Sequence, residues 1–148
     1  MEVKVKKLRD GATLPEYQTD QAAAMDIHAC IDAPIVVGPL ERFMVPTGLA
    51  FEIPEGYEMQ IRARSGMSIK HGITMVNGVG TIDADYRGEL SVLMINLSNE
   101  NFTIEPDMRV AQMLVTKFEK VSWKLAEDLS ETSRGLGGFG STGFDKSA

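Results

Sequence analysis

From Tyr57 to Arg64 the chain reads YEMQIRAR, an unbroken alternation of apolar and polar residues. Tyr57, Met59, Ile61 and Ala63 fall on one face, with Glu58, Gln60, Arg62 and Arg64 on the other. That is the period of a strand with one side in a core and one in water. VKVKKL, RFMV, GLAFEI, ELSVLMINL, NFTI and RVAQMLVTKF read the same way. GPLE, IPEG, LSNEN and EPDM separate them with turn chemistry at short spacing. Pro34, Pro39, Pro46, Pro54 and Pro106 stand at these boundaries, where a missing N–H does little harm. Many short strands with frequent turns predict an all-β sandwich or barrel with little helix. SGMSIKHG, after Arg64, is the best short helix candidate.

At 148 residues the chain fits one domain with a real core. The composition shifts once, near residue 130. This divides a β domain over residues 1–130 from a Gly-rich segment over 131–148, with five glycines in residues 134–143. Such a run builds no packed element, because glycine loses the most entropy on ordering. It is a floppy end or a lid that orders on a ligand.

A net charge of −6 argues against a broad nucleic-acid-binding surface, since the only basic cluster is KVKK at positions 4–7. The lone Cys30 excludes an intrachain disulfide and a thiolate-rich metal site. MEVKVKKLRD carries no apolar stretch or cleavage signal, and no apolar run approaches the ~20 residues of a membrane span. The expectation is a soluble cytoplasmic protein that binds neither nucleic acid nor membrane.

Five stretches carry candidate chemistry. In AAAMDIHAC, Asp26 stands among apolar neighbours and needs a partner, whether a backbone donor, an Arg or a metal-bound water. His28 follows on the same side, but with only His71 besides, a zinc site is not expected. In ARSGMS, Arg64, the Ser65 hydroxyl and the turn at Gly66 could hold an anion, or Arg64 is simply a surface residue at a strand end. NGVGTIDADYRG opens on the tight-turn pair Asn77-Gly78 and places Asp83, Asp85 and Tyr86 close by; a narrow hairpin there could hold a flat base by its main chain. In RVAQMLV, Gln112 sits inside an apolar strand, where it holds water or a phosphate or forms a cross-strand pair.

The fifth stretch, RGLGGFGSTG, contains G-x-G-x-x-G at Gly135, Gly137 and Gly140. Too few residues follow for a dinucleotide-binding crossover, and position 140 lacks the lysine of a Walker loop. Arg134 can pair with a terminal phosphate, the glycine N–H groups can wrap its oxygens, and Ser141 and Thr142 add hydroxyls. Phe139 can lie flat on a base.

In this order and spacing, from about residue 22 to 143, the five stretches closely resemble the five motifs of the trimeric deoxyuridine triphosphate nucleotidohydrolases (dUTPases). The resemblance implies a distorted jelly-roll-like β domain, a homotrimer with sites at subunit interfaces, and a flexible Gly-rich C-terminal lid. It implies Mg²⁺-dependent hydrolysis of dUTP to dUMP and pyrophosphate, which keeps uracil out of DNA and supplies dUMP for thymidylate synthesis. Asp83 resembles the general base that activates water against the α-phosphorus, with Asp85 a turn acid. Tyr86 resembles the residue under the deoxyribose, and Asn77 with the main chain to Gly80 the uracil reader. Arg64, Ser65 and Gly66 resemble the phosphate-contacting segment. Gln112 and Asp26 resemble groups that hold waters around Mg²⁺, with no direct protein ligand to the metal. Arg134, Phe139, Gly140, Ser141 and Thr142 would close over the nucleotide.

The chain departs from the usual motifs at Ala24, at ARSGMS and at Thr81, without losing a catalytic or phosphate-contacting side chain. A dCTP deaminase, which shares the fold family, would be expected to carry Arg-Ser-Ser, another Arg and a catalytic Glu. Here Arg64-Ser65-Gly66 and Asp83 stand instead. The remaining alternatives are a non-catalytic nucleotide-binding or regulatory module on the same scaffold and a structural β domain.

Overall fold

The computed structural model describes residues 1–139, and among them forms eleven strands and one short helix. The strands are β1 (Lys4–Lys7), β2 (Met25–His28), β3 (Ile35–Val37), β4 (Arg42–Pro46), β5 (Leu49–Glu52), β6 (Tyr57–Ala63), β7 (Ile73–Met75), β8 (Gly80–Ile82), β9 (Ser91–Asn96), β10 (Phe102–Ile104) and β11 (Arg109–Lys117). Helix α1 (Ser65–His71) follows β6 and closes on Gly72, whose left-handed φ of 66° is the usual helix stop. Every pairing is antiparallel.

A four-stranded sheet in the order β2-β11-β6-β8 and a three-stranded sheet in the order β4-β9-β7 are accompanied by the two-stranded ribbons β1-β5 and β10-β3. One hydrophobic cluster joins them, drawing Met59 and Ile61 from β6, Met113 from β11, Val92 and Met94 from β9 and Ile73 from β7. The alternation of β6 is realised: Met59 and Ile61 are buried, while Arg62 across the pleat is exposed. Pro46 ends β4 opposite Ser91, a position where its missing N–H is tolerated.

The stretch around Asn77-Gly78 differs from the expected hairpin. The turn forms, with Gly78 at φ 66°, but β7 and β8 do not pair with each other. β7 pairs with β9, and β8 pairs with β6. The turn therefore carries the chain from one sheet to the other. The preference of Asn-Gly for positive φ fixes the bend and not the partner of the strand that follows.

The last strand ends at Lys117, and the described residues beyond it contain neither strand nor helix. Val121, Trp123 and Leu125 are exposed there, Trp123 to 93%. No described helix is long and apolar enough to cross a membrane.

Candidate functional site

Asp26 is a buried polar residue on β2, an edge strand of the four-stranded sheet. Its side chain is only 4% exposed, and donors reach both carboxylate oxygens. Gln112 Nε2 donates to Oδ1 at 3.2 Å, and Arg109 Nη1 donates to Oδ2 at 3.1 Å. Arg64 Nε lies 3.6 Å from Oδ1, while Arg64 Nη1 donates to the Arg109 carbonyl at 2.7 Å. The register explains Gln112, which lies directly opposite Asp26 across the β2–β11 ladder. Of the readings open for Gln112, this is the cross-strand pair.

Sequence reasoning did not single out Arg109. Strict alternation from Gln112 puts Val110 on the Asp26 side and Arg109 on the other. The β2–β11 register shifts between Arg109 and Ala111, however, so Arg109 pairs with His28, two residues along from Asp26. This bulge turns Arg109 onto the Asp26 face and leaves Val110 fully buried. His28 turns to a different partner: its Nδ1 lies 3.0 Å from Asp107 Oδ1 and 2.9 Å from the Asp107 carbonyl.

Ser65 and Gly66 begin α1 directly after Arg64, and no side chain caps that first turn. Arg64, Ser65, Gly66, Gln112 and Asp26 are thus brought together at one end of β6.

Asp83 stands at the other end. Ile82 pairs with Met59, so Asp83 is level with Glu58, six residues before Arg64 on the same strand. At the rise of a strand that is about 20 Å. Within one chain, Asp83 and Arg64 therefore stand at opposite ends of β6. Asp83 is exposed, and its carboxylate makes no hydrogen bond or ion pair to a described residue; the same holds for Asp85. The Asp83 carbonyl accepts from the Tyr86 amide at 3.2 Å, and Arg87 Nη1 donates to the Ala84 carbonyl at 2.6 Å, fixing the turn. Asp83, Asp85 and Arg87 share an open recess with Glu52 and Lys120. A hydrogen bond from Lys4, then the charge of Lys4, holds the Glu52 carboxyl below the usual carboxylate range.

Tyr86 folds over Gly88 and donates its hydroxyl to the Glu89 carbonyl at 3.1 Å. A Cβ on Gly88 would overlap the Tyr86 ring and hydroxyl, so glycine is what lets the ring lie there. Gly80 is buried beneath Asn77: a Cβ there would come within 3.2 Å of Asn77 Nδ2 and of Ile61 Cβ. Asn77 and Gly80 are accordingly held as one unit, on the β8 side of the sheet with Asp83 and Tyr86.

Arg134 is exposed and donates from Nε to the Gly137 carbonyl at 2.8 Å, while Phe139 is fully exposed. Gly140, Ser141 and Thr142 lie outside the described residues.

The family model for dUTPase matches residues 10–143, a span that takes in every candidate site residue from Asp26 to Thr142. The chain belongs to the dUTPase family. It is 51% identical over 143 residues to the deoxyuridine 5′-triphosphate nucleotidohydrolase of Rickettsia felis, covering 96% of this chain and 97% of that one. To the protein of the same name from Fusobacterium nucleatum it is 53% identical over 142 residues, covering 95% and 97%. Among solved structures, the Staphylococcus bacteriophage 80alpha dUTPase with dUPNHPP matches at a TM-score of 0.87 and 29% identity, over 96% of this chain and 98% of that one. The all-β architecture is therefore that of a dUTPase, and the chain is an enzyme of this hydrolase family.

Proposed function

We propose that the chain hydrolyses dUTP to dUMP and pyrophosphate with Mg²⁺, at sites shared between the subunits of a homotrimer. The observation that carries this reading is the contrast between its two central aspartates. Asp26 is buried with both oxygens engaged, whereas Asp83 is exposed with its carboxylate free of described partners. The first is built to hold neighbours in place. The second is free to accept a proton from a water molecule as that water attacks the α-phosphorus. The new P–O bond forms as the bond from the α-phosphorus to the bridging oxygen breaks, and pyrophosphate departs.

The separation of Asp83 from Arg64 along β6 supports a shared site, with the base of one copy facing the phosphate-binding end of another. The exposure of Val121, Trp123 and Leu125 supports a neighbouring copy as well, since three large apolar side chains so close in the chain rarely all stay in water.

The described residues contain no cluster of three His, Cys, Asp or Glu that could cage a metal. A bound Mg²⁺ would keep much of its water shell and be met by the phosphates of the substrate, with Asp26 and Gln112 beside its waters. When bound, it would offset charge on the departing pyrophosphate. Asn77 and the main chain to Gly80 would read uracil, because a site built for one hydrogen-bonding edge leaves its own groups unpaired against cytosine. Arg134 would meet the γ-phosphate, Phe139 would stack on the base, and Gly140, Ser141 and Thr142 would complete the lid.

Tyr86 would exclude a ribose 2′-hydroxyl from its seat over Gly88. Gly88→Ala should displace the ring, which is half exposed and free to move, and leave the fold intact. The kcat/KM preference for dUTP over UTP should fall about 10-fold or more. An unchanged preference would remove Tyr86 from sugar selection.

The direct test is pyrophosphate release from dUTP, dCTP, dTTP and UTP with Mg²⁺ and with chelator. Release from dUTP alone, dependent on the metal, is expected. Ammonia from dCTP without pyrophosphate would move the chain to the deaminase branch, and silence on both counts would leave a non-catalytic binding module.

A further inference from the structure

Tyr86 touches the turn that follows it at two points, and that turn is anchored from outside. The ring lies over Gly88, and the hydroxyl donates to the Glu89 carbonyl at 3.1 Å. The Glu89 side chain reaches the connection between β4 and β5, where its Oε1 accepts from the Gly48 amide at 2.8 Å. Arg9 bridges the other oxygen: its Nη2 donates to Glu89 Oε2 at 3.3 Å, while Nη1 donates to the Cys30 carbonyl at 3.3 Å. We propose that Glu89 and Arg9 are positioning residues that clamp the seat of Tyr86 and so set how firmly the protein rejects a ribose 2′-hydroxyl. The proposal rests on the reading of Tyr86 given above.

The anchor lies in rigid structure. Gly48 is buried at a left-handed φ of 69°, where a Cβ would come within 2.8 Å of Ala12 Cβ and of Cys30 Sγ. Glycine alone fits there, and the tight surroundings fix the direction of its amide. Its carbonyl accepts from the amide of Leu8, the neighbour of Arg9, at 2.7 Å. Leu90, next after Glu89, donates its amide to the Leu49 carbonyl at 2.8 Å and accepts from the Thr47 hydroxyl at 2.7 Å. Glu89 and Leu90 are thus stitched to Thr47, Gly48 and Leu49 by side chain and main chain together. The turn before them is held only locally, by the Tyr86 amide on the Asp83 carbonyl and by Arg87 on the Ala84 and Tyr86 carbonyls.

A wall rejects an added hydroxyl only as firmly as it resists displacement, and a yielding pocket discriminates weakly. Tyr86 is half exposed, so packing alone does not hold the ring. The side chains of Arg9 and Glu89 are 46% and 26% exposed, and an ion pair that open adds little to global stability. Its effect is local. It keeps the carboxylate on the Gly48 amide, and with it the carbonyl that receives the tyrosine hydroxyl. Locking a functional rotamer through the residues behind it is what gives a site its precision.

Pyrophosphate release from dUTP and from UTP, measured on the full-length wild-type, Arg9→Ala, Glu89→Ala, doubly substituted and Gly88→Ala proteins, tests the clamp. The kcat/KM preference for dUTP should fall about 3-fold in Arg9→Ala and about 10-fold in Glu89→Ala, chiefly through a gain toward UTP. The double variant should match Glu89→Ala, because Arg9 acts through that carboxylate; additive losses would overturn the assignment. Salt gives a second readout. The two nucleotides carry the same charge, so screening of their phosphates cancels in the ratio. Raising the ionic strength should erode the wild-type preference toward that of Arg9→Ala and leave Arg9→Ala itself unchanged. A merely structural pair would lower the melting temperature and slow both nucleotides alike, and that result would also overturn the proposal. If Glu89→Ala does not fold, the exposed Arg9→Ala decides, and a wild-type preference there would sink the clamp. Should Gly88→Ala alone lower the preference, the clamp fails and the reading of Tyr86 stands. A preference unmoved in every variant would refute the reading of Tyr86 and the clamp with it, and a wild-type protein that released pyrophosphate from neither would refute the nucleotide reading itself.

Discussion

Asp83→Asn should bind dUTP as the parent protein does and turn it over about 10²- to 10⁴-fold more slowly. The amide has the shape of the carboxylate but cannot take a proton from water, so it removes the base and little else. Because Asp83 is exposed and has no described side-chain partner, its replacement leaves no buried group unsatisfied, and the melting temperature should not move. A fall in kcat with KM unchanged marks an interaction made in the transition state alone. Near-normal turnover would remove Asp83 from the chemistry and turn attention to Asp85, the neighbouring exposed acid. Single-turnover rates alongside binding of dUpNHpp separate these outcomes.

Truncation after Thr132 should lower kcat about 10²- to 10³-fold and leave assembly and thermal stability as they were. The segment removed contains Arg134, Phe139 and the glycines between them. Leu136 and Phe139 are fully exposed, so the β body loses no packing when they go. What it does lose is a guanidinium and a set of N–H donors that would close on the phosphates, and the exclusion of water that strengthens every charge contact in the site. Sedimentation beside steady-state kinetics tests both halves. A truncated protein with full kcat would show the segment to be dispensable, and one that dissociates would give it a structural task.

Where one face of a strand is buried, the sequence already displays the fold. β6 is legible because Met59 and Ile61 must face the core, and that requirement writes itself as alternation. α1 is legible because SGMSIKHG combines a short helical run with a glycine stop. The site was less so, for reasons of register. Arg109 is hidden by a bulge, which breaks the period that alternation relies on. The partners of β7 and β8 are hidden because a tight turn specifies its own bend and nothing about the strands beyond.

Asp83 and Asp85 differ little in local pattern, and both emerge exposed at one turn. Only the resemblance of the whole stretch to a known family distinguishes them. The fate of Asp26 was open between an arginine, a backbone donor and a metal-bound water. Long-range pairing of β2 with β11 brings Gln112 and Arg109 to its carboxylate, contacts that no local pattern announces.

In the proposed shared site, the roughly 20 Å that β6 sets between Asp83 and Arg64 makes each chain a donor of two halves that go to different sites. Two defective proteins should therefore repair one another. Asp83→Asn and Arg64→Ala, each inactive alone, should regain activity when unfolded together and reassembled, because a mixed trimer can set an intact base against an intact arginine. With equal amounts and random association, about one site in four would be whole. In a cell carrying both a normal and a damaged copy of the gene, the same geometry would spread the damage of one chain into its neighbours' sites.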